Sequence, residues 1–215
     1  MAKSYPNLYL IGLTGNIACG KSTVLAMLSA LGARTIDADR VTYRLQQPGT
    51  QVYQQIVAAF GPQVAAGPNG QLDRRRLGEL VFSDAAALAR LERIVHPAVH
   101  RELRAWLTEV ASSTGHGTRE QPRSSPVAVI DAIKLLESGW KAEADAIWVV
   151  TCPLEQQIER LMTTRGLSRV EAERRIAAQP PQAEKLAQAD VVIDNSGSQA
   201  GTRAQVEAAW NRIGK

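Results

Sequence analysis

Residues 15–22 read Gly-Asn-Ile-Ala-Cys-Gly-Lys-Ser, a stretch that fits G-x-x-x-x-G-K-S. The apolar run Leu8–Leu13 precedes it, and Val24, Leu25, Met27 and Leu28 follow at helical spacing. Strand, glycine-rich loop and helix, in that order, form a phosphate cradle. Gly15 and Gly20 let backbone N–H groups turn inward around phosphate oxygens, and the helix N-terminus adds partial positive charge. Lys21 can reach the β- and γ-phosphates, and the Ser22 hydroxyl can hold Mg²⁺. The loop therefore predicts a nucleoside triphosphate ligand. It does not say what receives the phosphate. Lys21 is expected to be mostly solvated without ligand.

Working outward, four further β-type runs stand out: Arg34–Asp37, Val127–Asp131, Ile147–Thr151 and Val191–Asp194. All but Arg34–Asp37 are rich in Val or Ile. Helical patterns separate the runs. The order predicts an α/β three-layer fold with a five-stranded parallel sheet covered by helices. The long stretch from Val41 to Ser112 holds several helix candidates. Asp73 can cap a helix running through Phe82, and Ser83 or Asp84 can cap the next. That next helix is expected to stop near His96, because Pro97 follows. Ser112–Pro126 (SSTGHGTREQPRSSP) reads as a surface loop. A second excursion opens at Pro153, is helical through Leu161, carries capping-box spacing at Ser168 and Glu171, and ends at Pro180 and Pro181. It is rich in arginine: Arg160, Arg165, Arg169, Arg174 and Arg175.

Composition narrows the class. The chain has 215 residues, 45% hydrophobic and 21% charged, enough for a sizeable core and unlike a disordered protein. Two cysteines, Cys19 and Cys152, are too few for a disulfide framework, which suits a reducing cytoplasm. No apolar run approaches the ~18–20 residues of a membrane helix, and no signal peptide is read at the N-terminus. The net charge of +4 is carried mostly by arginine, which suits phosphate-bearing partners. Nucleic-acid binding calls for a continuous basic stripe or an aromatic platform. The arginines fall in patches instead, and Trp106, Trp140, Trp148 and Trp210 read as packing residues.

Three positions invite chemistry. The second strand ends in Asp37-Ala38-Asp39, at the sheet end where ligands sit in open parallel sheets. A carboxylate there can accept or orient a hydroxyl proton, or it can simply cap the helix that starts at Arg40. Asp131 ends the strand expected beside the loop strand. It reads either as a carboxylate for the Mg²⁺ shell or as a turn residue. Cys19 sits beside a helix N-terminus, an environment that lowers a thiol pKa. Direct phosphoryl transfer needs no nucleophile, so it reads as incidental, with a susceptibility to oxidation.

Together these residues resemble the dephospho-CoA kinase family over almost the whole chain. The matching segments are Ile11–Gly15 through Lys21–Thr23, Gly32–Asp39, Leu72-Asp-Arg with Leu77 and Val81-Phe82, and His96-Pro97. Gln157, Arg160 and Arg165 match next, then Arg175-Ile176 with Gln179, and finally residues 189–197, Ala-Asp-Val-Val-Ile-Asp-Asn-Ser-Gly. The resemblance implies a P-loop NTPase core (1–40, 126–153 and 188–215), an inserted helical substrate-binding domain (41–125, with surface loop 112–126) and a helical lid (154–187). It implies transfer of the ATP γ-phosphoryl group, with Mg²⁺, to the ribose 3′-hydroxyl of dephospho-CoA. On it, Gly15, Asn16, Ile17, Ala18, Cys19, Gly20, Lys21, Ser22 and Thr23 contact ATP. Arg165 and Arg175 neutralise its phosphates, Arg165 counting with Lys21 and Asp39 as catalytic, and Asn195 meets the adenine edge. Asp39 is the preferred hydroxyl orienter and Asp37 the second choice. Asp37, Asp39, His96 and Lys134 face the substrate, while Ser22 and Asp131 hold the metal. His96 also reads as a buried structural histidine.

Two departures stand out. The loop has Asn16-Ile-Ala-Cys19 where the family usually has G-I-G-S, which tests whether Asn16 can adopt a glycine-like backbone. Ile133-Lys134-Leu135-Leu136-Glu137 replaces the usual P-L-L-F-E, so Lys134 either faces a substrate phosphate or pairs with Glu137. Another small-molecule or nucleoside kinase remains an alternative, as does a non-catalytic, nucleic-acid-associated P-loop protein. The sequence does not fix the oligomeric state.

Overall fold

The computed structural model describes Tyr5, residues 7–113 and 125–213, and the backbone at 116–117 and 122–123. In chain order the elements are β1 (Tyr9–Thr14), α1 (Lys21–Ala30), β2 (Arg34–Asp37), α2 (Ala38–Leu45), α3 (Gln51–Phe60), α4 (Arg74–Ser83) and α5 (Ala85–Ser112). There follow β3 (His116–Gly117), β4 (Pro122–Arg123), β5 (Val127–Asp131), β6 (Ala146–Thr151), α6 (Leu154–Arg165), α7 (Arg169–Ala177), α8 (Gln182–Leu186), β7 (Val191–Asp194) and α9 (Gln199–Trp210). The chain divides into two compact units, Met1–Ile36 with Leu107–Lys215, and Asp37–Trp106.

The first unit is built on the expected five-stranded sheet, ordered β2-β5-β1-β6-β7. β1 lies parallel between β5 and β6, with Leu13 opposite both Asp131 and Trp148, and β6 pairs in parallel with β7. Burial explains the strength of each strand signal. β5 is buried throughout, β1 and β6 at five of six positions each, and these read as continuous apolar runs. β2 and β7 are edge strands with exposed positions, and β2 was accordingly the faintest run. One core cluster unites Ile11 and Leu13 of β1, Val24 and Leu28 of α1, Val129 of β5, Trp148 and Val150 of β6, Ile193 of β7, and Val206 and Trp210 of α9.

Local signals hold where the chemistry is local. Asp73 caps α4 through the Arg76 N–H at 3.0 Å. Asp84 accepts the Ala86 N–H at 2.8 Å at the start of α5. Ser168 and Glu171 form a complete capping box on α7. The expected stop at His96 is overturned: α5 continues through Pro97 to Ser112. Proline at that position forfeits the bond to the Arg93 carbonyl and costs about 3 kcal/mol. Val95, Ala98, Val99, Leu103, Leu107 and Val110 are nonetheless buried at helical spacing. At about 1.5–3 kcal/mol for each large side chain, that burial outweighs the defect. His96 is therefore helical, and it is exposed rather than a buried structural residue. The reading also missed α8, a five-residue helix after Pro181. Most of the Ser112–Pro126 loop lies outside the described residues, but His116–Gly117 pairs antiparallel with Pro122–Arg123 inside it. Among the described residues no helix is long and apolar enough to cross a membrane.

Trp210 is fully buried in the core of the first unit. Trp210→Ala is expected to lower the unfolding free energy by about 3–5 kcal/mol, read as an earlier midpoint in urea.

Candidate active site

The loop between β1 and α1 turns on two glycines. Gly20 has φ 90°, and a Cβ there would collide with Asn195 Nδ2; at Gly15 it would collide with the Val150 carbonyl. Asn16 is not the strained residue. The left-handed backbone falls at Ala18, with φ 62°, where the family usually has glycine.

The outward-facing carbonyls of the loop are tied down by distant side chains. Arg160 of α6 donates from Nη1 to the Ala18 carbonyl at 3.2 Å and from Nη2 to the Asn195 carbonyl at 2.8 Å. Asn195, just past β7, donates from Nδ2 to the Cys19 carbonyl at 2.9 Å and accepts from Thr202 Oγ1 at 2.9 Å. The side chain expected at the adenine edge thus has both ends of its amide engaged within the protein. The side chain of Gln179 accepts the Ile17 N–H at 2.8 Å, and the Asn16 amide reaches the Pro180 carbonyl at 3.4 Å. Ile17 and Ala18 pack against Ile158, Leu161 and Ala172 of α6 and α7. Sequence reasoning gave Arg160 and Gln179 no such role. Their only signal was membership of the Gln157-x-x-Arg160 and Arg175-Ile-x-x-Gln179 segments.

Lys21 is not in solvent. Its Nζ lies 3.4 Å from Asp131 Oδ1, with the two side chains only 16% and 11% exposed. The β1–β5 register sets this pair, because it places Asp131 beside Leu13 at the mouth of the loop. Ser22 and Thr23 follow in the first turn of α1, where the Ser22 side chain is exposed. The structure brings the loop, Asp131 and Asn195 together in one unit. Among the described residues no cluster of three or more His, Cys, Asp or Glu could hold a metal ion unaided.

Four of the five arginines in residues 154–187 separate into two groups. Arg160 buttresses the loop. Arg169 binds Glu155 at 2.8 and 3.0 Å and Glu173 at 2.9 Å, stapling α7 to α6 and holding the Glu155 carboxyl below its ordinary pKa through that hydrogen bond. Arg165, at the end of α6, and Arg175, in the last turn of α7, are exposed and make no ion pair among the described residues. Lys134 is also exposed and makes no ion pair with Glu137 among the described residues. A cavity of about 410 Å³ opens beside the loop, lined by Asn16, Cys152, Gln157, Ile176, Gln179 and Gln182 among others.

The two cysteines are both buried and free. The Cys19 thiol is pushed up rather than lowered, because it hydrogen-bonds to Cys152 and is desolvated. In the second unit, Asp37 is the N-cap of α2, its Oδ1 accepting the Arg40 N–H at 2.9 Å. Asp39 is exposed in the first turn of the same helix.

A parallel sheet covered by helices, with a phosphate loop at the carboxyl end of β1 and an arginine-rich helical stretch after β6, defines a P-loop phosphotransferase. The dephospho-CoA kinase family model matches residues 9–201. A Symbiobacterium thermophilum dephospho-CoA kinase is 50% identical, the match covering 94% of this chain and 80% of that one. A Thermus thermophilus crystal structure superposes with a TM-score of 0.79 at 32% identity, covering 97% of this chain and 100% of that one. The Campylobacter jejuni dephospho-CoA kinase superposes with a TM-score of 0.65 at 25% identity, covering 96% and 97%. The chain belongs to the dephospho-CoA kinase family.

The strained position yields a test. A non-glycine residue in the left-handed region costs roughly 1–2 kcal/mol, partly offset by the greater unfolded-chain entropy of glycine. Ala18→Gly is expected to raise the unfolding free energy by up to about 1 kcal/mol and to leave nucleotide affinity within a few-fold. A fall in thermal midpoint would contradict it.

Proposed function

We propose that the protein transfers the γ-phosphoryl group of ATP to the ribose 3′-hydroxyl of dephospho-CoA, giving coenzyme A and ADP, in the cytoplasm. The observation that carries the reading is the Lys21–Asp131 pair at the mouth of a buttressed phosphate loop, in a chain of this family. Residues 15–23 hold the triphosphate through inward N–H groups, and Lys21 neutralises charge that spreads over the transferring group. Ser22 and Asp131 are the proposed holders of Mg²⁺. Two oxygen ligands completed by phosphates and water suit that ion. When bound, it screens the phosphate charge. Arg165 and Arg175, exposed on the proposed lid (154–187) and without an ion pair within 4 Å among the described residues, are the proposed cations that close over the phosphates.

Residues 41–125 are the proposed substrate-binding part, with His96 and Lys134 toward dephospho-CoA. Asp39 is the proposed hydroxyl orienter. Asp37, which caps α2 through the Arg40 N–H, is the second choice. The adenine-edge role expected of Asn195 has less support, because both ends of its amide serve the loop.

A coupled ADP-release assay with and without dephospho-CoA tests the activity directly, and release that ignores the acceptor would refute it. Lys21→Ala is expected to lower kcat by about 10²-fold or more. Asp39→Asn should lower it by about 10²–10⁴-fold with ATP binding little changed. Asp37→Asn, which preserves a good cap, should retain turnover, and Asp37→Ala should lose about 1 kcal/mol of stability. If Asp37→Asn is the variant that loses turnover, the two carboxylates exchange roles.

A further inference from the structure

Cys19 and Cys152 are 133 positions apart in sequence, yet they share one buried network. Cys19 lies in the phosphate loop, and Cys152 directly follows β6. Cys152 Sγ stands 3.9 Å from the Ala18 carbonyl and 3.5 Å from Arg160 Nη1. Cys19 Sγ stands 3.5 Å from Gln182 Oε1. Ala18, whose carbonyl Cys152 Sγ meets, directly precedes Cys19, so the two buried thiols sit on adjoining parts of one packed cluster. Cys152 is 3% exposed, but it lines the cavity beside the loop, which is wide enough to admit a small oxidant.

From this geometry we infer that Cys19 and Cys152 are a modification site: a small hydroperoxide entering the cavity converts them to an intramolecular disulfide that disables the phosphate loop. The roles of the two sulfurs differ. The Arg160 guanidinium, 3.5 Å from Cys152 Sγ, favours the thiolate there, whereas complete burial disfavours a charge on Cys19. The Cys152 thiolate attacks the peroxide, the O–O bond breaks, and Cys152 becomes a sulfenic acid as the distal oxygen leaves as water or an alcohol after taking up a proton. Cys19 sulfur then attacks the Cys152 sulfur, the S–O bond breaks, and water departs carrying the Cys19 proton. The two thiols lose two electrons and the peroxide gains two.

Closing the bond brings the two sulfurs to about 2.05 Å. The loop has little freedom to follow. Its Ala18 and Cys19 carbonyls are pinned by Arg160 and Asn195, and Ala18 already holds a left-handed backbone. Phosphate-binding N–H groups are therefore displaced, and a misplacement near 1 Å can cost about 10²-fold in rate.

The test treats the reduced, full-length protein with a few equivalents of hydrogen peroxide, then traps free thiols with iodoacetamide. Intact mass should show a species two hydrogens lighter with neither cysteine alkylated, and digestion should yield a Cys19–Cys152 linked peptide. Phosphoryl transfer should fall in step with that species, by about 10²-fold at completion, and return with dithiothreitol. Cys152→Ser, compared with its own untreated activity, should lose the sensitivity. The proposal fails if both thiols are alkylated after exposure, if the linked form keeps full activity, or if Cys152→Ser is inactivated as fast as the parent. The crosslink is read by mass, so its failure is distinct from failure of the kinase reading, on which only the activity arm rests.

Discussion

A loop that aims its N–H groups at phosphate must turn its carbonyls the other way, and those carbonyls need donors. That constraint organises the site. The Ala18 carbonyl takes Arg160 and the Cys19 carbonyl takes Asn195. Each donor is held in turn, Arg160 by the Asn195 carbonyl and Asn195 by Thr202 of α9. Left without partners, buried carbonyls of this kind cost about 1–3 kcal/mol each. The loop conformation therefore belongs to α6, β7 and α9 as much as to its own glycines. Gly20 must lack a side chain because the Asn195 amide approaches it so closely.

The same buttress explains how the loop tolerates alanine at position 18. The left-handed strain of roughly 1–2 kcal/mol is comparable to one charge-assisted hydrogen bond of about 1.5–3 kcal/mol. The Ala18 carbonyl receives such a bond from Arg160. The Ala18 methyl is not idle either, because the residue packs against the α6–α7 cluster. The methyl contacts offset part of the strain, and the Arg160 bond, which is to the backbone, holds the position in its conformation.

Most of the fold was legible because its signals are local or periodic. Three of the five sheet strands begin and end where the apolar runs do, and the other two shift by one residue. Asp73 and the Ser168–Glu171 box act within one turn of chain. Pro97 misled for the opposite reason: a local rule lost to burial along a 28-residue helix. In the site, the motif announced Lys21 and the loop, but not what holds them. Arg160 and Ala18 are 142 positions apart, and Asn195 and Cys19 are 176 apart. No window of sequence contains such a pair. The Cys19 environment was misread similarly. The helix N-terminus is visible in the sequence and lowers a thiol pKa, but Cys152, 133 positions on, and burial in the core raise it.

Gln179 shows how the loop depends on chain that lies far from it in sequence. Its side-chain oxygen accepts the Ile17 N–H at 2.8 Å. An amide N–H left without an acceptor away from water is costly, so this bond stabilises the loop. The same segment between α7 and α8 receives the Asn16 amide through the Pro180 carbonyl. Ile17 and Ala18 meanwhile pack against α6 and α7. The loop is therefore held on its backbone and its side chains by one continuous stretch of chain, and the arginine-rich helices and the loop form a single packed body rather than two separate elements.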